Sequence, residues 1–147
     1  MLIEHQKISE QFFNNAFFAG DLFSGLSPAA QNSLRAVKLE KEFAPAETIF
    51  ARGEMPRGIY ILTAGEAQTF YHGVEPVHII KQNEILGVPE TISNLPSETS
   101  VLTLVACRFE FIRRDAFLAF LQNEPETCFR LLQMFGANLH KLYRFFH

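Results

Sequence analysis

Between residues 37 and 113 the chain alternates apolar and polar positions in short runs, and after Arg114 the spacing turns helical. Val37, Leu39 and Phe43 are expected on one side and Lys38, Glu40 and Glu42 on the other, the two-residue repeat of a half-buried strand. Ala44-Pro45-Ala46 breaks that run. Thr48-Ile49-Phe50 follows as a short strand, and Ala51-Arg52-Gly53-Glu54 as a turn. Residues 58–63 (GIYILT) are rich in β-formers and predict a buried strand. Ala64-Gly65 turns this strand into residues 66–71, His72-Gly73 turns again, and residues 77–81 form another strand. Residues 100–105 and 107–113 complete the series. In the last, Cys107, Phe109 and Phe111 face inwards while Arg108 and Glu110 face out. Strands recurring about every ten residues between turn signals predict a sandwich or barrel.

Helical patterns flank this region. Residues 1–20 set Ile3, Ile8, Phe12, Phe13, Phe17 and Phe18 among polar residues, an irregular helical extension that serves either as a lid on the core or as a docking helix. Ser27 as N-cap and Pro28 at the first helical position predict a helix over 28–36. Residues 115–123 carry Phe117, Leu118, Phe120 and Leu121 at helical spacing. Pro125 opens a second helix with apolar residues Phe129, Leu131, Leu132, Phe135, Leu139, Leu142, Tyr143 and Phe146. So wide a stripe either packs back on the barrel or pairs with its copy in a second subunit. The helix reaches His147 without a capping glycine or a breaker, the pattern expected of a truncation or of a further domain.

One stretch interrupts the strands, residues 84–105 (EILGVPETISNLPSETSVLTLV). Gly87 and Pro89 open it, Val88, Ile92 and Leu95 recur at helical spacing, and Asn94-Leu95-Pro96 closes it. A helical turn between two strands leaves backbone N–H groups free at its start, where a ligand can be met. No Lys or Arg occurs between Lys81 and Arg108, whereas Glu84, Glu90 and Glu98 do.

Composition narrows the function. The chain has 147 residues, 48% of them hydrophobic, enough for one domain with a sizeable core. It divides into an extension (1–20), a β region with flanking helices (21–123) and a terminal helix (124–147). Sixteen Phe and no Trp point to a Phe-packed core with apolar surface left for a partner. A formal net charge of −3 gives no general attraction to nucleic acid. Cys107 and Cys128 stand at no metal-type spacing and read as buried thiols of a reducing compartment rather than a disulfide. No run reaches transmembrane length and no secretory leader opens the chain, so no membrane partner and a cytoplasmic location are expected.

Several pieces in order carry a resemblance: LFSGLS (22–27), Ala46-Glu47-Thr48-Ile49-Phe50 with Gly53-Glu54, Gly58-Ile59-Tyr60-Ile61-Leu62 with Gly65, Ala106-Cys107 on to Ile112, RRDAFLAFL (113–121), and the helix after Pro125. Together they resemble the cyclic-nucleotide-binding-type sensor domain of Crp/Fnr transcription regulators, over about residues 21–147. The resemblance implies a mainly β fold with flanking helices: a double-stranded β-helix, or jelly-roll-like β-roll, of eight strands, followed by a long dimerisation helix. It implies a parallel homodimer through Phe129, Leu132, Phe135, Leu139, Leu142 and Phe146, and a small-molecule effector of unknown identity. In full-length members a helix-turn-helix follows, and DNA would be met only through that domain.

By the same resemblance, residues 84–105 match the family's phosphate-binding cassette. Nucleotide binders carry Gly-Glu at its start, the Glu holding the ribose 2′-hydroxyl, and Arg-Ser or Arg-Thr near its end, the Arg neutralising the phosphate. Here Ser97 falls at the Arg position with Glu98 beside it, and Leu86-Gly87 (or Gly87-Val88, shifted by one) replaces Gly-Glu. The positions that touch the base fall on Leu142 and Tyr143. The ligand pocket is therefore expected from Leu86, Gly87, Val88, Glu90, Ser97, Glu98, Thr99 and Tyr143. A phosphate leaving water needs charge-assisted donors. Pro89 removes one backbone donor, the carboxylates add repulsion, and neither Arg52 nor Arg57 aligns with the family's Arg. Cyclic nucleotide is thus disfavoured, and no other cofactor is expected.

Other chemistries find less support. An iron–sulfur member of the family needs N-terminal cysteines, and residues 1–36 hold none. His72 and His78 qualify as haem ligands by type alone and read better as a turn and a strand histidine. A cupin metalloenzyme needs His-x-His plus Glu, which residues 72–78 do not supply. Neither a Ser-His-Asp set nor a phosphate-cradling Gly-rich loop is present, so no catalytic and no metal residues are assigned. Glu40 and Glu42 read as an exposed strand face, and Arg113-Arg114 as a strand-to-helix junction paired with nearby acids. The expected function is ligand sensing and dimerisation with a degenerate cassette. The alternatives are a genuine cyclic AMP or cyclic GMP receptor and a standalone interaction module.

Overall fold

The computed structural model describes residues 22–71 and 76–146, without the side chains of residues 77, 142, 145 and 146. The expected extension over 1–20 and the turn at His72 lie outside the described residues. In chain order the elements are α1 (Pro28–Val37), β1 (Leu39–Phe43), β2 (Thr48–Phe50), β3 (Gly58–Ala64), β4 (Ala67–Phe70), β5 (Pro76–Ile80), β6 (Ile85–Leu86), α2 (Val88–Ser93), β7 (Ser100–Thr103), β8 (Cys107–Arg113), α3 (Arg114–Asn123) and α4 (Pro125–Phe146). The strands form two antiparallel four-stranded sheets, β1-β8-β3-β6 and β2-β7-β4-β5. This is the expected eight-stranded jelly roll with flanking helices.

Strand β3 is buried on both faces over most of its length, which is why GIYILT carries no polar alternation. Tyr60, Leu62, Leu86, Cys107, Phe109 and Phe111 point between the sheets and meet Phe50, Ala67, Ile80 and Val101 of the second. Ile59, Ile61, Ile85 and Ile112 point the other way, into a cluster with Leu34, Val88, Phe117, Phe120, Leu121 and Leu131. Phenylalanine organises both. Phe109 stands edge-on to Phe43 and Tyr60 at centroid distances of 5.7 and 6.0 Å, and Phe23 stands edge-on to Phe117 and Phe120. Strand β8 keeps the orientation its alternation predicts, with Arg108 reaching out to Glu40 at 2.9 Å and Glu42 at 3.3 Å across β1.

Helix α1 starts as its sequence dictates: the Ser27 hydroxyl accepts the Ala30 N–H at 3.1 Å, and Pro28 follows. At the other end the expected strand is corrected. Val37 is the last residue of α1, whose final turn is closed by the Lys38 N–H on the Arg35 carbonyl, and Leu39 is exposed on the edge strand β1. Of Val37, Leu39 and Phe43, expected on one side of that strand, only Phe43 packs on the barrel interior. Among the described residues no helix is long and apolar enough to cross a membrane.

Candidate ligand site

The interruption between β6 and β7 is built around two left-handed residues. Gly87 (φ +84°) turns the chain out of β6. A side chain there would bring its Cβ to 2.9 Å from the Gly58 carbonyl oxygen, so the close approach of the two segments also requires glycine. Helix α2 is a turn and a half, with the Thr91 N–H on the Gly87 carbonyl at 2.9 Å. Asn94 (φ +55°) ends it, and the N–H groups of Asn94 and Leu95 close on the Glu90 carbonyl. Leu95, expected on the helix's apolar stripe, lies beyond its end and is exposed.

Ser97, at the position where the resemblance puts a cation, is 2% exposed. Its backbone is clamped by the 51–54 turn: the Gly53 N–H donates to its carbonyl and its own N–H to the Glu54 carbonyl, both at 2.8 Å. Its hydroxyl donates to the Thr99 carbonyl at 2.7 Å and accepts the Thr99 N–H at 3.1 Å. The side chain is short, already bonded on both sides and uncharged. Thr99 is buried and Glu98 exposed. At the other end of the cassette, Leu86 fills the barrel interior and Val88 the helical cluster, so neither offers an acceptor to a ribose.

The central acid of the cassette behaves unexpectedly. Glu90 has a buried carboxylate oxygen, Oε2, without a hydrogen-bond partner, and the adjacent Thr91 hydroxyl is in the same condition. Burial pushes the Glu90 carboxyl up to about 7; its own backbone amide pulls the other way, and the charge of Glu98 adds to the rise. Instead of an arginine awaiting an anion, the segment holds an acid that is still partly protonated at about pH 7.

Leu86, Gly87, Val88, Glu90, Ser97, Glu98 and Thr99 thus share one segment. Tyr143 lies on the terminal helix, on the face shared with Phe129, Leu132 and Leu139. Those four residues are each between 60% and 66% exposed. Their spacing is that of alternating a and d heptad positions, with Gly136 at the intervening a position. Phe135, expected with them, is half-buried and packs on the helical cluster, because it stands one turn after the buried Leu131. Leu142 and Phe146 belong to the helix, but their side chains lie outside the described residues.

His78 Nε2 lies 2.9 Å from Glu84, whose other oxygen accepts the Lys81 N–H, so the pair ties strand β5 to the turn after it. Among the described residues no cluster of three His, Cys, Asp or Glu could hold a metal. Cys107 and Cys128 are free thiols. The Arg52 guanidinium lies 5.5 Å from the centre of the Tyr71 ring. Of the junction arginines expected to pair with nearby acids, Arg113 meets Asp115 at 3.6 Å, whereas Arg114 instead donates its Nε–H to the Thr91 carbonyl at 2.8 Å and ties helix α3 to the cassette. A bond to a backbone carbonyl leaves no motif by which to find it.

A family model described as cyclic nucleotide-binding domain matches residues 40–124. The chain is 23% identical over 124 residues to the CRP-like cAMP-activated global transcriptional regulator of Mycobacterium tuberculosis, covering 82% of this chain and 55% of the regulator. It is 24% identical over 119 residues to potassium channel AKT2 of Oryza sativa subsp. japonica, covering 78% of this chain and 14% of the channel. The chain therefore spans about half the length of the regulator and a small part of the channel. Among solved structures, the sensor domain of the transcriptional regulator DNR from Pseudomonas aeruginosa superposes with a TM-score of 0.74 at 18% identity, over 94% of this chain and 93% of that one. The Thermus thermophilus catabolite activator protein gives a TM-score of 0.73 at 16% identity, over 82% and 58%. The resemblance read from the sequence is borne out in family and in fold.

Proposed function

The chain belongs to the cyclic nucleotide-binding domain family, and from that premise we propose that it is the ligand-sensing and dimerisation domain of a Crp/Fnr-type transcription regulator whose cassette no longer holds a phosphate. One observation carries this reading: the cation position is Ser97, buried and with its hydroxyl already engaged at both ends. A cyclic phosphate placed there would lose water without gaining a charge-assisted donor. With no Lys or Arg in the segment and the exposed Glu98 beside Ser97, a neutral or cationic effector is favoured instead. The role is binding and transmission in the cytoplasm, not catalysis.

Transmission has a physical route. The cassette is tied to the 51–54 turn through Ser97 and to α3 through Arg114, and α3 leads directly into α4. Filling the space under residues 84–101 moves the cassette, and these ties carry the movement to the terminal helix. In a parallel pair of such helices the change alters pitch or register, which a DNA-binding domain beyond them would read. The exposed seam of Phe129, Leu132, Leu139 and Tyr143 supports that pairing, since so regular an apolar stripe is costly to leave in water.

Sedimentation equilibrium tests the dimer. The chain is expected to sediment as a dimer at micromolar concentration, and Leu132→Glu with Leu139→Glu as a monomer with an unchanged circular-dichroism spectrum. A monomeric unsubstituted chain would remove the dimerisation half of the proposal. Titration with cyclic nucleotides tests the other half.

A further inference from the structure

We propose that a cleft beside the cassette, between β1, the loop before β3 and the start of α3, is a second ligand site that takes a small organic phosphate. The cleft has a volume of about 460 Å³ and is lined by Lys41, Pro56, Arg57, Tyr60, Phe111 and Arg113, with Arg114 and Asp115 at the helix start. That size suits a small metabolite. Four cationic side chains meet one carboxylate there, in a chain whose formal net charge is −3. Asp115 is matched to Arg113, at 3.6 Å. Among the described residues none of Lys41, Arg57 and Arg114 has a carboxylate oxygen within 4.0 Å. Cations gathered without counter-charges raise the local potential and favour an anion.

The arrangement is built rather than incidental. Arg57 is held at φ +66°, a left-handed conformation that non-glycine residues rarely adopt, and its carbonyl accepts the Arg114 N–H at 3.0 Å. That bond fixes the strand entry against the helix start and sets both guanidinium-bearing residues at one mouth. Guanidinium forks match phosphate oxygens in pairs, where an ammonium offers a point charge. The floor is aromatic: Tyr60 and Phe111 are buried with ring centroids 4.7 Å apart, and the Lys41 ammonium lies 4.0 Å over Phe111. A phosphate on the cations with a carbon skeleton over the rings satisfies both parts. Pro56 also borders Gly87, and Arg114 holds the Thr91 carbonyl, so the cleft and the cassette share two contacts. The site does not depend on whether the cassette itself binds a nucleotide.

The test is titration of the ¹⁵N-labelled full chain with phenyl phosphate, inorganic phosphate and citrate, followed by amide shifts. Saturable binding of phenyl phosphate is expected, tighter than inorganic phosphate or citrate, with shifts centred on Arg57, Arg113 and Arg114. Arg57→Gly removes the guanidinium at a φ that glycine adopts without strain, and Lys41→Gln removes the ammonium while keeping an unbranched polar side chain. Each is expected to weaken phenyl phosphate roughly tenfold or more. Absence of saturable binding at millimolar concentration, citrate binding as tightly, or unchanged affinity in both variants would overturn the proposal. Shifts centred on Gly87 and Ser97 would move the anion into the cassette and overturn it too, and would contradict the degenerate-cassette reading separately.

Discussion

Phe109→Ala is expected to cost about 3–5 kcal/mol, a large fraction of the whole stability of a domain. Phe109 is completely buried at the centre of the barrel, with Phe43 and Tyr60 edge-on to its ring. Truncation loses the transfer energy of the ring and leaves a cavity between two sheets whose hydrogen bonding resists collapse. Urea unfolding followed by circular dichroism checks it: the midpoint should fall sharply while the slope stays near that of the unsubstituted chain. A loss below about 1 kcal/mol would mean that the interior collapses freely and the barrel is not the rigid frame described.

Glu90→Gln is expected to stabilise the domain in alkaline solution and not in acid. The carboxyl is pushed from its usual value of 4.5 up to about 7 by burial, with Glu98 adding to the rise. Because the folded value is raised, the folded state holds the proton more tightly than the unfolded chain between those two values. Stability is therefore undiminished below about 4.5 and is lost as pH rises through about 7. The full difference corresponds to about 3 kcal/mol above that window, an upper bound because the glutamine amide also lacks a complete set of partners. Urea midpoints at pH 4 and pH 8 decide it: the variant should match the original chain at about pH 4 and exceed it at about pH 8. An equal difference at both pH values would show that Glu90 ionises freely in the folded domain.

Where sequence reasoning succeeded, two independent signals agreed. Strand β8 was legible residue by residue because it lies between β1 and β3, and its Cys107, Phe109 and Phe111 fill the interior while Arg108 stays outside. Helix α1 was legible at its start because Ser27 and Pro28 both mark an N-terminus, but not at its end. A β-branched Val37 beside an alternating run fits a strand as well as a last helical turn, and the Lys38–Arg35 backbone bond decides it. The terminal stripe was legible as a stripe and no further. Periodicity shows that α4 is apolar over a wide arc, but not which flank meets the core. Packing took Leu131 and Phe135 inwards and left Phe129, Leu132 and Leu139 outside.

The candidate site divides along the same line. That the cassette lacks a cation is written in the sequence, since no Lys or Arg occurs from 82 to 107. That Ser97 is sealed by Thr99 and the 51–54 turn is not, because those bonds run largely through backbone atoms. The burial of Glu90 was equally hidden: in one dimension it is one more acid on a short helix, and only the fold removes water from one of its oxygens. The cationic cleft was invisible for a topological reason. Lys41, Arg57 and Arg113 are far apart in the chain and become neighbours only because β1 and β3 flank β8 in one sheet.

Calorimetric titration of the chain with cyclic AMP and with cyclic GMP tests the central claim, that the cassette has lost the means to hold a cyclic phosphate. The account predicts no saturable heat with either nucleotide at millimolar concentration. One-site binding of either with a micromolar dissociation constant, abolished by crowding the cassette at Gly87, would contradict it.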